Sequence, residues 1–326
     1  MRMGTSEEVT QRLESAPCPA CQSADFRLLF SATDRMYRTT DQTFRIVECG
    51  KCRLIRLDPR PCCAPALEHP TRWPAGNTLA DRVERAYRRF LLSDHVGFVM
   101  RAIEEAEEPG TVLDLSPDGG LFRGALAQRG VPVIGMDCSP AAAAANWKTH
   151  GTPSLCASLA AAPLAPASCR AVLMIHVLEH VANPAAWVEA AHALLRQGGR
   201  LVVQVPNAAC WEFLLLGENW NGLDVPRHLI DFRTRDLEAL LDSCGFEVLR
   251  RKHFSVRDNP GGLAKSLAPG LDPVVRRARG VAEEPAKKLL KHLLWLGLMV
   301  AAVPATVIEA ACRAGSTIMI EARKKA

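Results

Sequence analysis

The 326-residue chain has no run of the roughly twenty apolar residues that a bilayer-spanning helix needs. Its apolar segment from Leu293 to Ile308 holds sixteen uncharged residues, contains Pro304 and is followed at once by Glu309. The opening segment MRMGTSEEVTQRLES has neither the apolar core nor the cleavage site of a signal peptide. A reducing, cytoplasmic setting is therefore expected. No strong charge of one sign is present: 40 basic against 35 acidic residues leave +5. Basic groups cluster at Arg250-Arg251-Lys252, Arg276-Arg277, Lys287-Lys288 and Arg323-Lys324-Lys325, which suits either a solvated surface or an anionic partner. No internal repeat is found.

In a reducing compartment, twelve cysteines read as metal ligands where they are paired and as small buried hydrophobes where they are single. Cys156, Cys210 and Cys312 are in the second class. Cys18-Pro-Ala-Cys21 and Cys49-Gly-Lys-Cys52 are two CxxC pairs with 27 residues between them. Two thiolates on one tight turn can reach one ion, and two such turns complete a tetrahedral Zn²⁺ site with no open position. Cys18, Cys21, Cys49 and Cys52 are therefore expected to hold a structural zinc whose binding helps fold a module too small to hold itself together. Cys62-Cys63 lacks the spacing of a third pair.

Six β-type runs follow from Thr111: TVLDL, VPVIGMD, RAVLMIHVLEH, RLVVQVPN, FEVLRR and STIMIEARK. Helical segments separate most of them, the pattern of a parallel sheet covered on both faces. Asn183-Pro184 should start one helix that Gly198-Gly199 stops, and Thr234 should cap another that ends at Cys244-Gly245. The first strand runs into Ser116-Pro117-Asp118-Gly119-Gly120 and a helix, a turn that lets backbone approach a ligand. The second ends in Asp137, where a carboxylate can accept from both hydroxyls of a ribose. These two features alone fit a dinucleotide equally well.

The run from Val112 to Asn207 resembles the class I methyltransferases that use S-adenosylmethionine (SAM), through VLDLSPDGG, VIGMD, HVLEHVANP and LLRQGGRLVVQVPN. The segments around Trp220 to Phe232 and LLDSCGFEV are similar to the ubiquinone-biosynthesis and natural-product O-methyltransferases. The paired cysteines resemble the zinc modules that precede some bacterial sugar C-methyltransferases. The resemblance implies an α/β, Rossmann-like seven-stranded sheet with helices on both faces, preceded by a small β-rich zinc ribbon, with STIMIEARK as the antiparallel strand. It divides the chain into a disordered start (1–16), a zinc module (17–62), a linker and helical cap (63–108), a SAM-binding domain (109–255), an apolar helical insertion (256–314) and a final strand with a basic tail (315–326).

By the same resemblance, Asp114, Leu115, Ser116 and Gly120 shape the methionine side of the cofactor pocket and Asp137 holds the ribose. Cys138, Ser158 and Leu159 lie by the adenine, and His176 borders the pocket. Catalysis is expected above the carboxyl ends of the fourth and fifth strands, with His228 as the first candidate base and His176 as the second. Trp220 and Arg227 then line the acceptor pocket. Glu179, His180 and His228 are also similar to the Glu-His sets that hold a divalent ion in some small-RNA methyltransferases. The expected acceptor is a small molecule: a sugar, polyketide, quinone or lipid-linked glycan. A nucleic-acid acceptor is a third reading, since a zinc ribbon can contact phosphates, but this ribbon is only mildly basic and lacks an interleaved aromatic patch. Where the family has glycines this chain has Ser116 and Asp118, which opens a second reading as a catalytically impaired scaffold. The apolar insertion suits a helix at a membrane interface, a buried lid or a dimer contact.

Overall fold

The computed structural model describes residues 12–62, 79–106, 108–117, 120–137, 139–281 and 283–325. Near the N-terminus, β1 (Leu13–Glu14), β2 (Phe26–Thr33), β3 (Thr43–Cys49), β4 (Ile55–Leu57) and β5 (Arg60–Pro61) precede the long helix α1 (Leu79–Glu104). Alternation follows: β6 (Thr111–Asp114), α2 (Leu121–Ala127), β7 (Val133–Asp137), α3 (Pro140–His150), β8 (Ser154–Cys156), β9 (Cys169–Ile175), α4 (Pro184–Leu194) and β10 (Leu195–Pro206). The remainder is α5 (Trp211–Leu216), β11 (Ile230–Asp231), α6 (Thr234–Ser243), β12 (Phe246–Lys252), α7 (Asn259–Leu267), α8 (Pro273–Ala278), α9 (Pro285–Ala311) and β13 (Thr317–Lys324).

Seven strands form one sheet in the order β12-β13-β10-β9-β6-β7-β8. β13 runs antiparallel to both of its neighbours, and the pairs among β10, β9, β6, β7 and β8 are all parallel. This is the expected Rossmann-like sheet with one reversed strand. Successive side chains of a strand point to opposite faces, and here they enter two separate apolar clusters. Val112, Ala171, Leu173 and Val202 pack with Val96 and Val99 of α1 and Phe122 and Leu126 of α2. Leu113, Val172, Met174 and Val203 face the other way, onto Val188 and Leu194 of α4 and Leu237 and Leu241 of α6. A sheet buried on both faces explains why its strands read as unbroken apolar runs.

The N-terminal module is built into this second face: Cys18, Phe44, Ile46, Ile55 and Leu57 belong to the same cluster. Its sheet has the order β11-β4-β3-β2, so the edge strand comes from a segment about 170 positions downstream of β4. Two buried or nearly buried ion pairs reinforce the join, Arg227 to Asp34 at 2.9 Å and Arg233 to Glu48 at 3.2 Å.

Several local expectations are corrected. α4 starts at Asn183-Pro184 as expected, the Asn183 side chain accepting from Ala186 N, but it ends at Leu194. Gly198-Gly199 instead lies in a bulge inside β10. Thr234 is the first helical residue of α6 rather than its cap; the Asp236 carboxylate accepts from the Arg233 N–H. β8 carries only three residues and no apolar run, so periodicity had nothing to register there. Cys210 is buried as expected, whereas Cys156 and Cys312 are exposed. The apolar helix is longer than its uncharged run: α9 spans 27 residues and passes through Pro304 without a break.

Candidate cofactor pocket and metal centre

Because β6, β7, β8 and β9 are parallel, their carboxyl ends share one edge of the sheet, where open α/β folds bind ligands. Asp114 ends β6 and Asp137 ends β7. After β6 the chain turns through Leu115 and Ser116, both buried, to Gly120, whose φ of 83° lies in the left-handed region that favours glycine. Ser116 stands where the resembling family has glycine, and its hydroxyl stitches the turn. It donates to Asp114 Oδ1 at 2.5 Å and accepts from Ile175 N at 3.3 Å. Ser158 is exposed at the start of a short turn beyond β8, and Leu159 is buried in the core. Asp118 and Cys138 lie outside the described residues.

The sequence reading missed Arg123, the largest fully buried side chain among the described residues. From the third position of α2 its Nε lies 3.2 Å from Asp114 Oδ2, its Nη1 donates to Ser154 Oγ at 2.8 Å, and both Nη atoms lie 3.5 Å from Asp137 Oδ2. The guanidinium fills the space over Gly135; a Cβ there would stand 1.4 Å from Nη1. Asn146 of α3 completes the arrangement by donating to both oxygens of Asp137, at 3.3 and 3.2 Å. The two acids that the sequence singles out are thus braced by one cation from below. The signal was present: an arginine on the face of α2 that Phe122 and Leu126 bury.

His176 follows β9 directly with φ of 56°, unusual for a side-chain-bearing residue and a mark of a constrained position. Its Nδ1 lies 3.0 Å from Glu179 Oε1 and its Nε2 lies 3.7 Å from Asp258 Oδ2. Gln204 Nε2 donates to Asp258 at 2.7 Å and lies 3.0 Å from His176 Nε2. Burial disfavours the imidazolium, but the Asp258 and Glu179 carboxylates outweigh it and raise His176 to about 9. Asp258 is partly buried, which disfavours its charge, but Arg257, His176 and His95 hold it well below the usual carboxylate range. His95 Nε2 and Ser255 Oγ complete its shell at 3.1 and 2.9 Å.

His228 is buried, and its Nδ1 donates to Gly222 O at 2.6 Å. Burial first, and the neighbouring His180 second, depress it to about 4. Neither ring therefore has the neutral-range titration that the expected general base needs. Arg227, expected beside the acceptor, is engaged in ion pairs. Its fork is spent on Asp224 and Asp34, with its carbon 4.5 Å above the Tyr37 ring. Trp220 is buried, edge-on to Phe213.

Glu179, His180 and His228 do come together: one ligand atom from each lies within 4.8 Å of the others, and all three residues are buried. His180 donates from Nδ1 to Arg227 O at 3.0 Å, and His228 donates in the same way to Gly222 O. Both rings then carry their lone pairs on Nε2. A carboxylate and two imidazoles so held are a donor set for a divalent transition metal. Asp231, buried beside them, is pushed well above its usual range by burial and by the charge of Glu179.

The four paired cysteines converge independently. Their sulfurs lie within 4.8 Å of one another, with Cys18 to Cys52 and Cys21 to Cys49 both at 3.5 Å. A tetrahedral zinc with Zn–S near 2.3 Å sets sulfurs about 3.8 Å apart. The two turns repeat one pattern: Cys18 N donates to Ser23 O and Gln22 N to Cys18 O, while Cys49 N donates to Leu54 O and Arg53 N to Cys49 O. Gln22 and Arg53 occupy the same place after each pair, with φ of 59° and 70°. None of the four is in a disulfide.

Comparison with known proteins gives a family model described as a methyltransferase domain, matching residues 84–251, just over half of the chain. A ubiquinone biosynthesis O-methyltransferase of Pseudomonas paraeruginosa is 32% identical over 151 residues, 42% of this chain and 65% of that protein. One from Xylella fastidiosa is 35% identical over 116 residues, 32% of this chain and 45% of that protein. The chain therefore aligns with less than two thirds of either relative. Among solved structures, geranyl diphosphate C-methyltransferase from Streptomyces coelicolor A3(2) shows 14% identity and a TM-score of 0.49, covering 78% of this chain and 86% of that one.

Proposed function

This chain belongs to the methyltransferase-domain family, and from that premise we propose that it transfers the methyl group of S-adenosylmethionine to a small-molecule acceptor. The observation that carries the reading is the pair Asp114 and Asp137 on adjacent strand ends, with the left-handed Gly120 between them opening α2. Asp137 keeps part of its carboxylate toward solvent and would accept from the ribose hydroxyls. Gly120 and the start of α2 would face the methionine end, with Ser116 holding Asp114 in place. The cofactor would supply a sulfonium methyl as the electrophile, and the protein's part is chiefly alignment. His176, protonated between Glu179 and Asp258, would border the reacting end as a fixed charge.

The acceptor class is drawn from sugars, polyketides, quinones and lipid-linked glycans; the relatives named as ubiquinone biosynthesis O-methyltransferases favour a hydroxyl on a quinone-type acceptor. Cys18, Cys21, Cys49 and Cys52 would hold one structural zinc, consistent with a reducing, cytoplasmic setting. A second reading, a scaffold that has lost transfer, draws on Ser116 in the glycine turn and on Arg123 beside both acids. The test is turnover: the protein is incubated with methyl-labelled SAM and pooled phenolic and sugar acceptors, and labelled product and S-adenosylhomocysteine are quantified by mass spectrometry. Stoichiometric appearance of both supports transfer. S-adenosylhomocysteine at the protein-free rate, with every acceptor class unlabelled, favours the scaffold.

A further inference from the structure

α9 is apolar on the wrong side. Along its inner edge Lys291, Trp295, Leu298, Ala302, Thr306 and Glu309 are partly or fully buried, and the helix packs chiefly against α7. Directly opposite, at the same alternating spacing of three and four, run Leu289, Leu293, Leu296, Val300, Val303 and Val307, all exposed. A surface helix of a water-soluble domain normally turns charged and polar groups outward. Here no acidic side chain occurs between 285 and 308, and Val300 is 63% exposed.

The end of α9 also meets α5. Glu309 Oε1 accepts from Trp211 N at 2.6 Å and Glu212 N at 3.2 Å, so the end of α9 caps the start of α5. α5 adds Leu214 and Leu215, 72% and 81% exposed, and the half-open Trp211. Rows of exposed large apolar side chains on a helix mark interaction surfaces.

Charge selects the occupant. Residues 276–291, at the amino end of the patch, hold six basic and two acidic side chains. Within that segment Arg276 and Lys291 pair with Glu283 and Lys287 with Glu284, and Arg277, Lys287 and Lys288 are exposed on the surface. A basic collar beside a smooth Leu/Val strip complements anionic headgroups above an acyl layer. α9 is also long and apolar enough to span a bilayer by length and composition. Its inner edge argues for the flat orientation, because Thr306 and Glu309 are buried against the domain and crossing would strip Glu309 from α5. We propose that α9 and the exposed side of α5 form a docking surface that seats the protein side-on in an anionic lipid bilayer. This inference does not depend on methyl transfer.

The test is flotation of the full chain with phosphatidylcholine vesicles, alone or with about a third phosphatidylglycerol. The account expects flotation with the anionic vesicles and partitioning at least about tenfold lower in high salt. Leu293→Glu with Leu296→Glu should abolish flotation while the far-ultraviolet spectrum and melting cooperativity persist. Should that pair unfold, Lys287→Gln with Lys288→Gln serves instead, and a loss of about threefold or more in partition is expected. A wild-type chain that stays with the soluble fraction under all lipid conditions overturns the proposal. So does a soluble dimer that becomes monomeric in the leucine variants, which would assign the patch to a second copy.

Discussion

Arg123 Nε stands 3.2 Å from the carboxylate of Asp114, and neither side chain is exposed to solvent. The same guanidinium reaches Asp137, so one buried cation stands between the two acids that end β6 and β7. Breaking such a pair by removing one partner leaves a charge uncompensated in a medium that cannot solvate it. Arg123→Met should destabilise the chain by about 3–5 kcal/mol in urea denaturation. Adding Asp114→Asn should recover part of that loss, because the second change removes the stranded charge. Equal losses in the single and double variants would show that packing, not charge, sets the effect.

The cysteine cluster leads to a prediction that reaches beyond the module. β11 completes the module's sheet, with Ile230 paired to Arg56 and Asp231 to Ile55. Chelation, or Cys49→Ser, should release about one zinc per chain. Backbone amides of 229–232 should then lose hydrogen-exchange protection together with those of β3 and β4. Protection retained at β11 while the module opens would mean that β11 is held by the larger domain alone.

Glu212 makes the chain sensitive to alkali. Burial first, then the charge of Glu309, raises its carboxyl to about 8 from an ordinary value of 4.5. A raised carboxyl contributes stability that is fully present below pH 4.5 and is lost as pH climbs through 8. Over that window the wild type should lose up to about 1.4 kcal/mol per pH unit from this group. Glu212→Gln, which cannot ionise, should show a shallower fall in melting temperature between pH 6 and 8. Parallel curves for the two proteins would contradict the assignment.

Much of the fold was legible because the parallel strands are buried on both faces and read as apolar runs. Asn183-Pro184 and the CxxC pairs carry their geometry in residue type. What stayed hidden depends on pairing across long sequence distances. Nothing near Arg227 announces Asp34, 193 positions away, so the arginine read as a pocket residue rather than a clasp. His228 and His176 looked alike in sequence, yet burial against His180 depresses one while Asp258, on a distant loop, raises the other. Arg123 stood inside an apolar helical face, and its two partners become visible only once β6 and β7 lie side by side.

The clasp itself can be tested. Arg227 is held by Asp34 at 2.9 Å and Asp224 at 2.6 Å. Buried Asp34 is disfavoured by desolvation but held below its usual pKa by Arg227. Arg227→Met should strand Asp34 and cost about 3 kcal/mol or more. Limited proteolysis should then cut first within residues 34–42. A cleavage map like that of the wild type would place the join elsewhere, at β11 or Arg233.

The most direct measurement is calorimetric titration of the purified chain with S-adenosylmethionine, beside Asp137→Ala. Saturable one-to-one binding in roughly the micromolar range, weakened at least about tenfold by the substitution, is the predicted result. Absence of heat at millimolar cofactor, or an affinity indifferent to residue 137, would contradict the assignment of this strand-end pocket to a sulfonium nucleoside.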